Sequence, residues 1–189
     1  EYYSLNLSDE VKKGMTEKAQ RGEYQSSPPF GYKMNNKKLE ILEDEANAVK
    51  LVFESFLDGQ GLLQIAKKLN ELGYRTHRGN KFENRTIEYI LENPVYAIAD
   101  KDMYEYFSNF EGCLFAEEKD FDGISGTIGY SKTIQVKGKR MRKRTIEDWI
   151  VAVGKHIGFI SGKEWVEVQE LMGMNEEKRY RRPRKNESI

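Results

Sequence analysis

Between Gly61 and Pro94 the chain reads GLLQIAKKLNELGYRTHRGNKFENRTIEYILENP, and its apolar spacing leaves little freedom of local structure. Leu62, Ile65, Ala66, Leu69 and Leu72 fall at helical spacing, and Gly73 follows where such a helix ends. A second helix begins near Asn84 or Thr86, either of which has a capping side chain. It turns Ile87, Ile90 and Leu91 to one side and stops at Asn93-Pro94. Arg85, Thr86, Glu88, Tyr89 and Glu92 are left facing outward. Helix-turn-helix proteins enter the major groove with a second helix of this kind, cationic and hydrogen-bonding in its first turn. The connection from Gly73 to Glu83 exceeds the roughly three or four residues of a simple helix-turn-helix and carries Arg75, His77, Arg78 and Lys81. No Cys or acid stands at ligand spacing from His77, so phosphate or solvent is its expected neighbour rather than a metal.

The flanking segments extend the pattern. Leu7, Val11, Met15 and Ala19 recur every four residues, which predicts a helix closed by Gly22. Pro28-Pro29 then forbids helix and favours an extended arm, while Ser26, Ser27 and Gly31 let its backbone approach a partner. Alternation on either side of Asn35-Asn36-Lys37 predicts a short hairpin. A helix over Glu43 to Leu57 buries Ala46, Val49, Val52, Phe53, Phe56 and Leu57. With the central pair and the hairpin it makes a winged-helix type of domain with Leu51, Phe53, Leu69 and Ile90 in its core.

Past Pro94 the periodicity weakens, and a short helix near Met103 to Phe107 is the one element expected before Ile128. From Ile128 to Val136 alternation predicts a strand, Lys137-Gly138-Lys139 turns it, and Trp149 to Val153 reads as a buried strand. Ser161 and Glu164 form a capping box, with Ile160 and Trp165 as a staple, for a helix burying Trp165, Val168, Leu171 and Met172. The expected fold is α+β: a helical domain of winged-helix or helix-turn-helix type followed by a mixed strand-helix extension.

Charge decides which partners this surface suits. The 31 basic and 31 acidic residues cancel, which by itself argues against phosphate binding. The charges segregate, however. Lys132, Lys137, Lys139, Arg140, Arg142, Lys143 and Arg144 follow one another without an acid, as do Lys178, Arg179, Arg181, Arg182, Arg184 and Lys185. A Debye length of about 8 Å lets such patches act independently of acids elsewhere. Cys113 is the one cysteine, which excludes an internal disulfide and a cysteine-based metal cluster and suits a reducing cytosol. No apolar run approaches membrane-spanning length. Nothing sets a nucleophile beside a base, so hydrolytic chemistry finds no constellation here. The chain starts at Glu1 rather than Met and breaks off after a basic tail, and so reads as a segment of something longer.

The arm Pro28-Pro29-Phe30-Gly31-Tyr32, the run IAKKLNELGYRT followed by Arg78-Gly79-Asn80-Lys81-Phe82, the segment from Thr86 through Asn93-Pro94-Val95-Tyr96 and the terminal PRKNES occur in a telling order. In that order the chain resembles the DNA-binding region of the large serine recombinases, the phage integrases and conjugative-transposon recombinases. Trp149 to His156 and Gly162 to Gln169 are similar to the strand and helix before that family's zinc ribbon. The resemblance divides the chain into the end of an interdomain helix (1–22), a recombinase DNA-binding domain (23–98), an insertion with a basic strand-turn (99–145), a closing strand and helix (146–174) and a basic linker (175–189). It implies a bacterial or phage-encoded, cytoplasmic, nucleoid-associated protein. The parent carries a serine catalytic domain upstream and zinc in a ribbon downstream, and assembles as dimer and tetramer. This segment itself is expected to be non-catalytic, without metal or cofactor, and monomeric.

The implied partner is double-stranded DNA at an attachment site, with basic and hydroxyl groups on phosphates and a few side chains on bases. Arg85 suits guanine, and Thr86 and Tyr89 suit bases or phosphate. Ser26, Ser27 and Tyr32 on the arm suit the adjacent minor groove. Arg75, His77, Arg78 and Lys81, the strand-turn residues Lys139, Arg140 and Arg142, and the tail residues Arg179, Arg181, Arg182 and Arg184 complete the expected contacts. Two other readings share parts of this surface. A stand-alone winged-helix transcription regulator has the same reading helix, and a protein-interaction module would use Trp149, Trp165 and the acidic stretch.

Overall fold

The computed structural model describes residues 14, 17, 21, 22, 24, 26–111, 113–134, 138 and 141–179, with backbone alone for 174–179. Residues 14, 17 and 21 are helical and Gly22 leaves that helix at φ 59°. The rest of the helix expected over 1–22, and the tail past 179, lie outside the described residues.

Strands β1 (Tyr32–Asn35) and β2 (Lys38–Ile41) pair antiparallel with Asn35 opposite Lys38, so Asn36-Lys37 is the whole turn. Both turn residues take positive φ, 46° and 64°, as a two-residue hairpin turn of matching twist demands. Helix α1 (Glu43–Leu57) opens with Glu43, Asp44 and Glu45, carboxylates that suit the positive end of its dipole. It buries Ala46, Val49, Val52, Phe53 and Phe56 as the periodicity requires; Leu57 and Leu51 are half-buried, at the margin of the core. Helix α2 (Leu62–Glu71) ends at Gly73 (φ 89°), where the Tyr74 amide donates back to Leu69 O at 3.0 Å. Helix α3 (Asn84–Glu92) buries Ile87, Ile90 and Leu91. Its cap residue is Glu83, one before the expected Asn84, and no side chain caps it.

The segment expected as an insertion contributes to the same core. Helix α4 (Lys101–Ser108) places Met103 and Phe107 there, and Cys113 joins them. Strand β3 (Ser125–Tyr130) pairs antiparallel with β6 (Ile150–Ile157), and the register shifts between Ser125 and Thr127. The strand expected to run unbroken from Ile128 to Val136 stops at Tyr130, because Ser131 takes the left-handed conformation (φ 60°). The chain resumes as a two-stranded ribbon, β4 (Thr133–Ile134) with β5 (Arg142–Lys143). Helix α5 (Gly162–Arg179) begins at the expected box, with Glu164 N donating to Ser161 Oγ (3.2 Å) and Ser161 N to Glu164 Oε2 (3.1 Å). Trp165 is fully buried and meets Phe107 and Tyr106 at ring centroids 5.6 Å apart. The architecture is mixed α and β, with one apolar cluster running from Tyr32 through the three central helices to Val168.

Candidate nucleic-acid interface

Helix α3 is amphipathic enough that its inward stripe fixes which side chains reach solvent. Arg85 and Tyr89, one turn apart, stand on the outer face. Arg85 Nε donates to Tyr89 Oη at 2.8 Å, and its guanidinium carbon lies 5.5 Å from the ring centroid. The contact orients the guanidinium, and among the described residues its terminal amino groups make no other hydrogen bond. Thr86 is half-buried in the first turn.

The ribbon β4–β5 lies against this face. Lys143 Nζ donates to Glu88 Oε1 (3.1 Å) and to both Glu92 oxygens (2.8 and 2.7 Å), and sits 5.1 Å from the Tyr89 ring centroid. Burial alone would lower the Lys143 pKa; the hydrogen bonds and charges of Glu92 and Glu88 outweigh it and raise the pKa instead. An open groove of about 900 Å³ runs between the start of α2, the α3 face and the ribbon, with Leu63, Arg85, Tyr89, Met141 and Arg142 on its walls. On the other side of Tyr89 a second depression holds Lys132, whose Nζ donates to Asn93 Oδ1 at 2.7 Å. Burial brings Lys132 down to about 8, against the opposing pull of Glu92.

The long connection between α2 and α3 is built, not loose. Asn70 acts as a surrogate backbone strand: its Nδ2 donates to Phe82 O (2.9 Å) and its Oδ1 accepts from Phe82 N (2.8 Å). Thr76 N bonds Asn80 O, and Gly79 supplies the positive φ that closes the turn. Arg75 spends Nη1 on Asn70 O and Tyr74 O, at the carbonyl end of α2. His77 is hydrogen-bonded to Glu45 (2.7 Å), not directed at open solvent alone, and the same Glu45 oxygen accepts from Gly31 N (2.8 Å). Arg78 and Lys81 are exposed.

Of the arm, Ser26 and Ser27 are exposed, but Tyr32 corrects the expectation placed on it. Its ring is fully buried, stacked on Tyr96, and its hydroxyl donates to Ile157 O at 2.7 Å; no surface is left for a groove contact. Arg142 is exposed on the ribbon. Lys139, Arg140, Arg181, Arg182, Arg184 and the Arg179 side chain lie outside the described residues. Lys143 was legible only as one charge in a basic run. The signal that would have singled it out is the pair Glu88 and Glu92, two acids a turn apart on a face otherwise suited to phosphate.

The family model described as Recombinase matches residues 43–175, which includes all five numbered helices except the last residues of α5. A putative DNA recombinase of Bacillus subtilis (strain 168) is 26% identical over 187 residues, covering 94% of this chain and 33% of its own length. This chain therefore spans about a third of that relative. Among solved structures, an LSR–DNA complex aligns over 88% of this chain and 38% of its own (20% identity, TM-score 0.48). A structure concerning the Listeria innocua prophage attP site aligns over 87% and 51% (18% identity, TM-score 0.49). With its α1–α3 unit and the ribbon docked on α3 inside the matched span, the chain belongs to the Recombinase family, the assignment toward which its resemblance to the large serine recombinases pointed.

Proposed function

We propose that this chain binds double-stranded DNA at the attachment sites of a mobile element, as the reading portion of a site-specific recombinase of the large serine class. The observation that carries the reading is the outer face of α3, where Arg85 is oriented by Tyr89 on the second helix of a helix pair. Arg85 meets guanine in the major groove, and Tyr89 and Thr86 meet neighbouring bases or phosphate. The ribbon β4–β5 serves as the wing: it follows the reading helix in sequence, lies beside it and carries Arg142 outward. Arg78 and Lys81 on the connection, and Ser26 and Ser27 on the arm, hold the flanking strands. Membership of the Recombinase family and the name of the Bacillus relative support the recombination context. Cutting and rejoining belong to the serine domain of the longer parent, and zinc to its ribbon.

Gel-shift titration against duplexes from the junctions of the host element tests this directly. Arg85→Ala is expected to weaken binding to the junction duplex by roughly 1–3 kcal/mol, and binding to arbitrary duplex far less. An equal loss on both would make Arg85 a phosphate contact and move sequence reading elsewhere.

A further inference from the structure

The reading face of α3 carries a liability that the proposed function does not explain. Glu88 and Glu92 lie one turn apart beside Tyr89, with side chains 25% and 24% exposed, so two carboxylates would stand toward the phosphates that the helix must approach. Glu92 is also the last residue of α3, whose final turn holds no basic residue; an anion there opposes the negative end of the helix dipole. One cation of the fold meets both carboxylates. Lys143 reaches from β5, contacts both carboxylates and lies 5.1 Å from the Tyr89 ring centroid, with the Arg85 guanidinium bonded to the hydroxyl of that ring.

We propose that Lys143 is a positioning residue for DNA reading. It neutralises Glu88 and Glu92 and holds Tyr89, and through it Arg85, in the orientation that meets the duplex, without itself gripping phosphate. The proposal rests on the reading that α3 faces DNA. It makes the ribbon and the helix one surface joined by a three-way charge contact. The cation Lys143 acts in place of the one that α3 lacks in its own last turn.

The experiment measures affinity of the full chain for a fluorescein-labelled duplex from the junction of the host element, by anisotropy, across a salt series. The proteins are wild type, K143Q, K143R, E88Q/E92Q and the triple variant. K143Q is expected to weaken binding about three- to tenfold, and K143R to restore most of it. In the E88Q/E92Q background the same K143Q change is expected to alter affinity less than about twofold, because the charges it answered are gone and the Arg85 Nε–Tyr89 Oη bond still orients the pair once no carboxylate competes for it. The slope of log affinity against log salt stays that of wild type in this account. A loss that persists in the E88Q/E92Q background, with the slope shallower by about one, would make Lys143 a phosphate contact and overturn the proposal. So would a K143Q protein that binds like wild type. Lys143 is 43% exposed, so K143Q is expected to melt with wild type. If it melts early, the triple variant decides: near-wild-type affinity supports the proposal, and a large loss overturns it. Failure of the underlying reading looks different, since then wild type and E88Q/E92Q alike show no salt-dependent affinity for the duplex to lose.

Discussion

The His156 imidazole is held in β6 with no room to spare. A Cβ built on Gly126 would lie 2.1 Å from His156 Nε2, and one on Gly154 would lie 2.5 Å from Nδ1. Nε2 lies 2.7 Å from Val95 O, which can only accept, so Nε2 carries a hydrogen and donates it. Burial pushes its pKa below the usual imidazole value, and the Val95 bond, which favours the charged form, does not compensate. The unfolded chain therefore takes up a proton at this site that the folded chain refuses. Stability from His156 is whole above about pH 6.5, the unfolded value, and falls as pH drops below it. The melting temperature of wild type is expected to decline as the pH falls below about 6.5, and His156→Gln to flatten that limb while lowering stability throughout. A limb unchanged in the variant would assign the acid sensitivity to other groups. Neither this role nor that of Tyr32 was legible from the chain. Tyr32 follows Pro-Pro, Phe and Gly in a stretch that reads as an open arm. Its hydroxyl finds Val95 O and Ile157 O, 63 and 125 residues away, contacts that no local pattern announces.

Single carboxylates also join elements. Asp100 Oδ1 accepts from Met103 N and caps α4, while Oδ2 accepts from Gly162 N at the start of α5 (2.8 Å). A side chain on Gly162 would fall 2.0 Å from that carboxylate, so the close approach itself requires glycine there. Asp100→Ala removes both caps and is expected to destabilise the chain by about 2–3 kcal/mol, with Asp100→Asn, which still accepts on one side, losing about half. Chemical denaturation at neutral pH reads the difference; an Asp100→Asn protein as stable as wild type would deny the second cap. At this scale the sequence was most informative where a helix is long and periodic or carries its own stop signal. Gly73 and the Ser161–Glu164 box behave as their residue types dictate. It was least informative where a strand is broken by backbone conformation. Nothing in Tyr130-Ser131-Lys132 forbids continuing an alternation that in sequence runs to Val136, yet Ser131 turns the chain out. That break frees the following residues to form the ribbon on α3, and so it also set the one part of the candidate interface that periodicity misread.

For the molecule as a whole, the question is where its cooperative unit begins. The Recombinase match starts at residue 43, but the apolar cluster starts earlier. Phe30 packs edge-on against Phe82 at 5.1 Å, Tyr32 stacks on Tyr96, Leu39 is 5% exposed, and Tyr96 Oη donates to Phe30 O at 2.8 Å. Removing the chain before Glu43 strips the buried Tyr32 and Leu39, each worth about 1.5–3 kcal/mol of burial, and leaves the Tyr96 hydroxyl without that acceptor. Against a total stability of about 5–15 kcal/mol, such a loss brings the remainder close to the folding threshold. A fragment spanning 43–175 is therefore expected to melt at least about 10 °C below one spanning 24–175, with a broadened transition and weakened near-ultraviolet dichroism. The arm then counts as core, and its exposed Ser26 and Ser27 are held in place by the rings that follow them. If the shorter fragment melted as sharply and as high as the longer, the arm would be an appendage, and nothing in the core would hold Ser26 and Ser27 in a fixed place.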